Sequence, residues 1–301
     1  GNAYNDRVRG DRGDNLEAAI GCCQAALEVW TRETAPLDWA MAQSNLGATY
    51  NDRVRGDRGD NVEAAISCCQ AALEVWTREA APLEWAMAQS NLVAAYDNRV
   101  RGYRGDNLEA AIGCHQAALE VRTREAAPLE WAMTQNNLVA AYDNRVRGNR
   151  GDNLEAAIGC HQAALEVRTR EAAPLDWATT QSNLVAAYDN RVRGDRGDNL
   201  EAAIGCCQAA LEVWTRETAP LDWAMAQSNL GATYNNRVRG DRGDNLEAAI
   251  GCYRAALEVW TRETAPLDWA AAQSNLGNAY NDRVRGDRGD NLEAAIGCCQ
   301  A

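Results

Sequence analysis

Two dipeptides, Cys114-His115 and Cys160-His161, hold the only histidines of a 301-residue chain. A thiolate beside an imidazole is the pairing from which a zinc site or a Cys/His nucleophile is built. The spacing argues against both. Adjacent helix positions diverge by about 100°, so the two side chains cannot face one metal ion. A structural zinc centre also needs four converging ligands, and no acidic or further cysteine partner is placed to complete the set. A polar substitution in a half-buried slot explains the pair better, and neither a metal nor a cofactor is expected. The same segments carry a second change: Trp30, Trp76, Trp214 and Trp260 of other repeats give way to Arg122 and Arg168. His115 and Arg122 are seven apart and share a helix face, as do His161 and Arg168. Two readings follow. In one, His115, Arg122, His161 and Arg168 form a cationic spot for an acidic group of a ligand. In the other, favoured here, each arginine lays its stem over apolar surface.

Amides form the other constellation. Asn45, Asn91, Asn137, Asn183, Asn229 and Asn275 recur at one position, with Gln43, Gln89, Gln135, Gln181, Gln227 and Gln273 two residues before them. Asparagine carries both acceptor and donor and can grip a peptide backbone whatever its side chains. It can equally brace neighbouring helices, because an asparagine within a helix is unfavourable without a partner and that partner can be internal. The two readings stand level. RGD also recurs, as at Arg55-Gly56-Asp57 and Arg58-Gly59-Asp60. Turn formation and helix capping account for it better than cell adhesion. No Ser/His/Asp set, glycine-rich phosphate loop or carboxylate cluster recurs with usable geometry, so no enzyme is expected.

The elements that position these residues repeat. The asparagine of the N(L/V)EAAI phrase falls at Asn15, Asn61, Asn107, Asn153, Asn199, Asn245 and Asn291, a fixed step of 46 residues. Such periodicity marks a stacked-repeat architecture. It divides one array over 1–301 into a partial first repeat (1–35), full repeats at 36–81, 82–127, 128–173, 174–219 and 220–265, and a truncated last one (266–301). Each repeat holds two amphipathic helices. Helix B, over about 14–34, carries Leu16, Ala19, Ile20, Cys23, Ala26, Leu27 and Trp30 on one stripe, and Asp14 with Glu17 reads as its capping box. Helix A opens at Pro36, a residue suited to a first helical turn, and runs to about residue 55. Trp39, Leu46, Tyr50 and Val54 form its stripe, and Gly56 and Gly59 end it. The Trp39 position holds tryptophan in every repeat and is expected in the core, whereas the Trp30 position tolerates arginine. Fourteen helices are predicted, with the first and last truncated and no strand.

These residues resemble the tetratricopeptide repeat. Asn45-Leu46-Gly47-Ala48-Thr49-Tyr50 in helix A, with Ala19-Ile20, Cys23 and Ala26-Leu27 in helix B, is similar to that signature, although the repeat is about 12 residues longer than the family's 34. The resemblance implies an all-α solenoid, a right-handed superhelix of antiparallel helix pairs whose concave face is lined by helix A. The asparagine row resembles the ladders with which some members hold extended peptides. The phrase NLGATYNDRVRGDRGDNLEAAI also resembles long repeat arrays found beside caspase-like CHAT domains in bacteria. The family's helix B aromatic is replaced at Cys23, Cys69, His115, His161, Cys207 and Cys299 and restored at Tyr253, which suggests a slot of moderate depth.

Composition narrows the function. The formal net charge is -13, and every basic residue is arginine, so non-specific binding to nucleic acid or an anionic membrane is disfavoured. Eleven cysteines, seven of them at one repeat position, fit free thiols in a reducing cytoplasm, with an extracellular fibre as the alternative. No signal peptide or long apolar run is visible. The expectation is a non-enzymatic scaffold for protein interactions, with a protein or peptide partner held along helix A. Two alternatives remain beside it. Residues 1–25 are identical to 277–301, and uncapped ends of this kind could stack copies into a fibre. The array could also be the sensor arm of a larger signalling protein.

Overall fold

A computed structural model describes residues 10–300. Its helices are α1 (Arg12–Val29), α2 (Pro36–Asp52), α3 (Arg58–Leu73), α4 (Pro82–Asp97), α5 (Arg104–Leu119), α6 (Pro128–Asp143), α7 (Arg150–Leu165), α8 (Pro174–Asp189), α9 (Arg196–Leu211), α10 (Pro220–Asn236), α11 (Arg242–Leu257), α12 (Pro266–Asn281) and α13 (Arg288–Gln300). There is no strand among the described residues. The helix expected within 1–9 lies outside them. The helices fall into two compact units, residues 1–149 and 150–301. Within each unit every helix packs on the next in sequence, and successive A helices such as α2 and α4, or α8 and α10, also touch. Each unit is therefore an all-helical solenoid with the 46-residue period.

All six prolines of the chain open an A helix. Their missing N–H would have had no partner in that turn, and their fixed φ suits helix. The connection to helix B requires a left-handed residue: Gly56, Gly102, Gly148, Gly194, Gly240 and Gly286 have φ of 78 to 80°, a region that only glycine enters without strain. Helix B then begins earlier than the sequence suggests. Asp57, not Asp60, is the N-cap of α3, and its side chain accepts from the Asp60 N–H at 2.9 Å. Gly59 therefore lies inside helix B, buried, rather than ending helix A.

The expected capping glutamate has another occupation. Glu17 takes a bidentate pair from Arg53, Nε to Oε1 and Nη2 to Oε2 each at 2.8 Å. The Arg53 Nη1 donates onward to Asn61 Oδ1 at 3.2 Å, and Asn61 Nδ2 to the Arg55 carbonyl at 2.8 Å. One arginine thus ties α1 to α3 across the end of α2. Arg99 does the same between Glu63 and Asn107, and Arg237 between Glu201 and Asn245. The guanidinium holds Glu17, Glu63 and Glu201 below the usual carboxylate range. Helix B also ends sooner than expected, at Val29 in α1 and Leu73 in α3. Threonine hydroxyls take over the backbone there: Thr77 Oγ1 accepts from the Ala80 N–H at 3.1 Å, and Thr31 from the Thr34 N–H at 3.1 Å.

The core is a line of small clusters, among them Val62, Ala65, Ile66, Cys69, Leu92 and Ala95 in the first unit. The two tryptophan positions exchange their expected depths. Trp76, Trp214 and Trp260, at the position that tolerates arginine, are 3%, 3% and 6% exposed. Trp39, Trp85, Trp131, Trp177, Trp223 and Trp269 are only half-buried, packing as covers over the clusters around Trp76, Trp214 and Trp260 where they reach them. Leu292 and Ile296 of α13 are exposed, unlike Leu246 and Ile250 at the same positions of α11.

Candidate functional site

The thiols and imidazoles come first, because they prompted the question of chemistry. No described group of three or more His, Cys, Asp and Glu is placed to hold a metal ion. All eleven cysteines are free. Burial pushes Cys114 and Cys160 up to about 11 and Cys69 and Cys207 up to about 12, so these groups are thiols rather than nucleophilic thiolates. His115 and His161 are 5% and 2% exposed, and burial draws both down to about 4. At neutral pH they carry no charge. The cationic-spot reading therefore loses its imidazole charges. His161 Nδ1 has no hydrogen-bond partner, while Arg168 is half-buried in the second unit.

Arg122 lies in the first unit with its guanidinium turned to helix A of its own repeat, where Nη1 donates to Ser90 Oγ at 2.8 Å. Desolvation lowers its affinity for the proton while Glu130 partly restores it, and the side chain stays cationic. It borders a pocket of about 410 Å³ of mixed lining, with Ser90, Asp97, His115 and Asn137 beside Val93, Met133 and Ala140. A second groove of about 500 Å³ shares Asp97 and Asn137 and continues past Tyr96, Arg104 and Asn144. Both run between α4 and α6 over α5. Residues of both sequence constellations, His115 and Arg122 from the first and Asn137 from the amide row, are thus brought together. Asp97 was not foreseen. Its carboxyl opens to the groove, yet enough protein surrounds it to hold it above the usual range, and Asp143 behaves likewise. A sequence signal existed: Asp97, Asp143 and Asp189 stand where Asn51, Asn235 and Asn281 stand elsewhere.

The amide row divides. Asn91 donates from Nδ2 to Ser44 Oγ at 3.1 Å, bracing α4 against α2. Asn98 does the same lower down, to Asn51 Oδ1 at 3.3 Å. Asn137, Asn183 and Asn275 are exposed, whereas Asn45 and Asn229 are half-buried, as are Gln43, Gln89, Gln135, Gln181, Gln227 and Gln273. The tyrosine ending each A helix is tied instead to helix B, as in Gln116 Nε2 to Tyr142 Oη at 3.1 Å.

Stacked helix pairs with a 46-residue period define the class, a helical repeat protein. No protein-family profile matches the sequence, and no curated protein matches it. Among solved structures the chain is similar to BtubC (BKLC) from P. vanneervenii, with a TM-score of 0.53 and 20% identity over 81% of this chain and 90% of that one. At that identity the likeness concerns the fold. No described helix is long and apolar enough to cross a membrane.

Proposed function

We propose that the chain is a non-enzymatic scaffold of tetratricopeptide type that holds an extended segment of a partner protein along the helix A face. The observation that carries this reading is Asn137. Its amide is exposed, has no side-chain partner, and borders two adjoining grooves of about 410 and 500 Å³. An amide so placed can donate to and accept from a peptide backbone without selecting side chains. Specificity would then come from neighbouring pockets. Asn183 is the corresponding exposed amide of the second unit. Solenoids present extended surfaces of this kind, because each repeat contacts only its neighbours and leaves one face free.

The test is a peptide array probed with the chain, followed by titration of a bound peptide with Asn137→Ala and Asn183→Ala. Both variants should keep the parent's melting curve, because neither side chain is braced, and should weaken the peptide. Unchanged peptide binding, or loss of fold in both, would overturn the reading.

A further inference from the structure

The pocket at Arg122 has features that a backbone-gripping groove does not need. At the same position of the preceding repeat, Trp76 is 3% exposed and fills its space among Ala40, Ala72 and Ala88. The exchange to arginine replaces a rigid indole by a stem whose end is drawn to Ser90, and a cavity of about 410 Å³ stands beside it. That volume lies in the range of small-molecule sites, at its lower end.

Four polar side chains line it: Arg122, Asp97, His115 and Asn137. Arg122 has five N–H donors, and its hydrogen bond is to a neutral hydroxyl. Among the described residues no carboxylate lies in ion-pair distance of it. Asp97 has neither an ion pair nor a hydrogen bond, although it borders the same cavity. His115, 5% exposed, lines the cavity. Asn137 supplies a free amide at the rim.

Charge selects among ligands. A simple anion would meet Arg122 but be repelled by Asp97, and a simple cation would meet Asp97 but be repelled by Arg122. A molecule carrying both charges satisfies both residues. We infer that this pocket recognises a small zwitterion of the α-amino-acid type, its carboxylate on the Arg122 guanidinium, its ammonium on the Asp97 carboxylate, and its body against His115 and Asn137. The inference concerns a free small molecule; it shares Asn137 and this pocket with the peptide groove, and Arg122 and Asp97 are the side chains that distinguish it.

Titration calorimetry of the full chain with individual free L-amino acids tests it, with acetate and methylamine as single-charge controls. At least one amino acid should saturate while both controls fail. Arg122→Gln and Asp97→Asn should each weaken binding by about ten- to a hundredfold, the loss typical of one charge-assisted hydrogen bond, with unchanged helical circular dichroism. Arg122→Trp, which restores the residue of the neighbouring repeat, should abolish binding while keeping the fold. Failure of every free amino acid to saturate would overturn the inference. So would undiminished binding in Asp97→Asn, which would make the pocket a plain anion site, and so would binding only when the residue is embedded in a peptide.

Discussion

Acidification should destabilise this protein through two histidines, in a window where its carboxylates hardly titrate. His115 and His161 are drawn by burial from the usual value of 6.5 to about 4 in the folded chain. A folded pKa below the unfolded one means that the unfolded chain binds the proton more tightly. The stabilising contribution is therefore complete above about pH 6.5 and is lost as pH falls towards 4. Between about pH 7 and about pH 5 the loss comes to roughly 2 kcal/mol per histidine. Two effects act beside it. Asp97 and Asp143 are held above the usual carboxyl range, so acid relieves them and opposes the loss. The glutamates paired with Arg53 and its counterparts are held low and weaken only as pH approaches the ordinary glutamate range. Both are cancelled by comparing the parent with His115→Cys plus His161→Cys, since Cys69 and Cys207 occupy the same slot fully buried. Urea unfolding followed by circular dichroism at the two pH values should show the parent losing about 4 kcal/mol more than the double variant. Equal losses would refute the assignment of these imidazoles as buried and neutral.

Two further outcomes follow from the packing. Trp76→Ala should destabilise the first unit by about 3 to 5 kcal/mol, as a fully buried indole does, whereas Trp85→Ala at the half-buried position should fall clearly below that; thermal melts of the two variants check the ranking, and the reverse order would contradict it. In the second unit a Cβ on Gly231 would come within 2.9 Å of Tyr253 Cε1, so Gly231→Val should destabilise by about 1 to 3 kcal/mol, and adding Tyr253→Cys should recover most of it, because Val185 packs against Cys207 one repeat earlier; additive losses in the double-mutant cycle would show that the two positions are not coupled.

The architecture was readable because the apolar stripe, the proline at the first turn and the glycine after each A helix recur with one period, and all three act locally. What escaped was depth and competition. Recurrence of tryptophan at Trp39 suggested a core residue, yet the buried indole is Trp76. A position can hold one residue type in every repeat and still lie half-covered, because recurrence reports that the environment is the same, not how deep it is. Asp14 with Glu17 matched a capping box, but Glu17 is claimed by Arg53 from 36 residues further on, and the cap passes to Asp11. No local pattern could show that, since the competitor lies in the next helix pair. The site was half legible. His115 and Arg122 announced themselves by breaking the period, while Asp97 broke it by a single atom type, from amide to carboxylate.

That breaking of the period is where the physical argument for a site lies. A tryptophan that buries 150–250 Å² removes roughly 4 to 6 kcal/mol worth of apolar surface from water. Replacing it by Arg122 forfeits much of that, recovers a part through the arginine stem, and adds the desolvation of a charge whose hydrogen bond is to a neutral serine. Asp97, exposed but held above the usual carboxyl range by partial burial, adds a second unpaired charge in the same pocket. Neither is paired with the other, so their attraction does not offset the loss. A repeat array tolerates such a defect because stability is close to a sum over repeats and their interfaces: well-packed neighbours such as the Trp76 cluster keep the stack folded around it. The interaction left unmade at Arg122 and Asp97 is then available to a ligand that brings both charges, and a molecule lacking either one would gain only half of it.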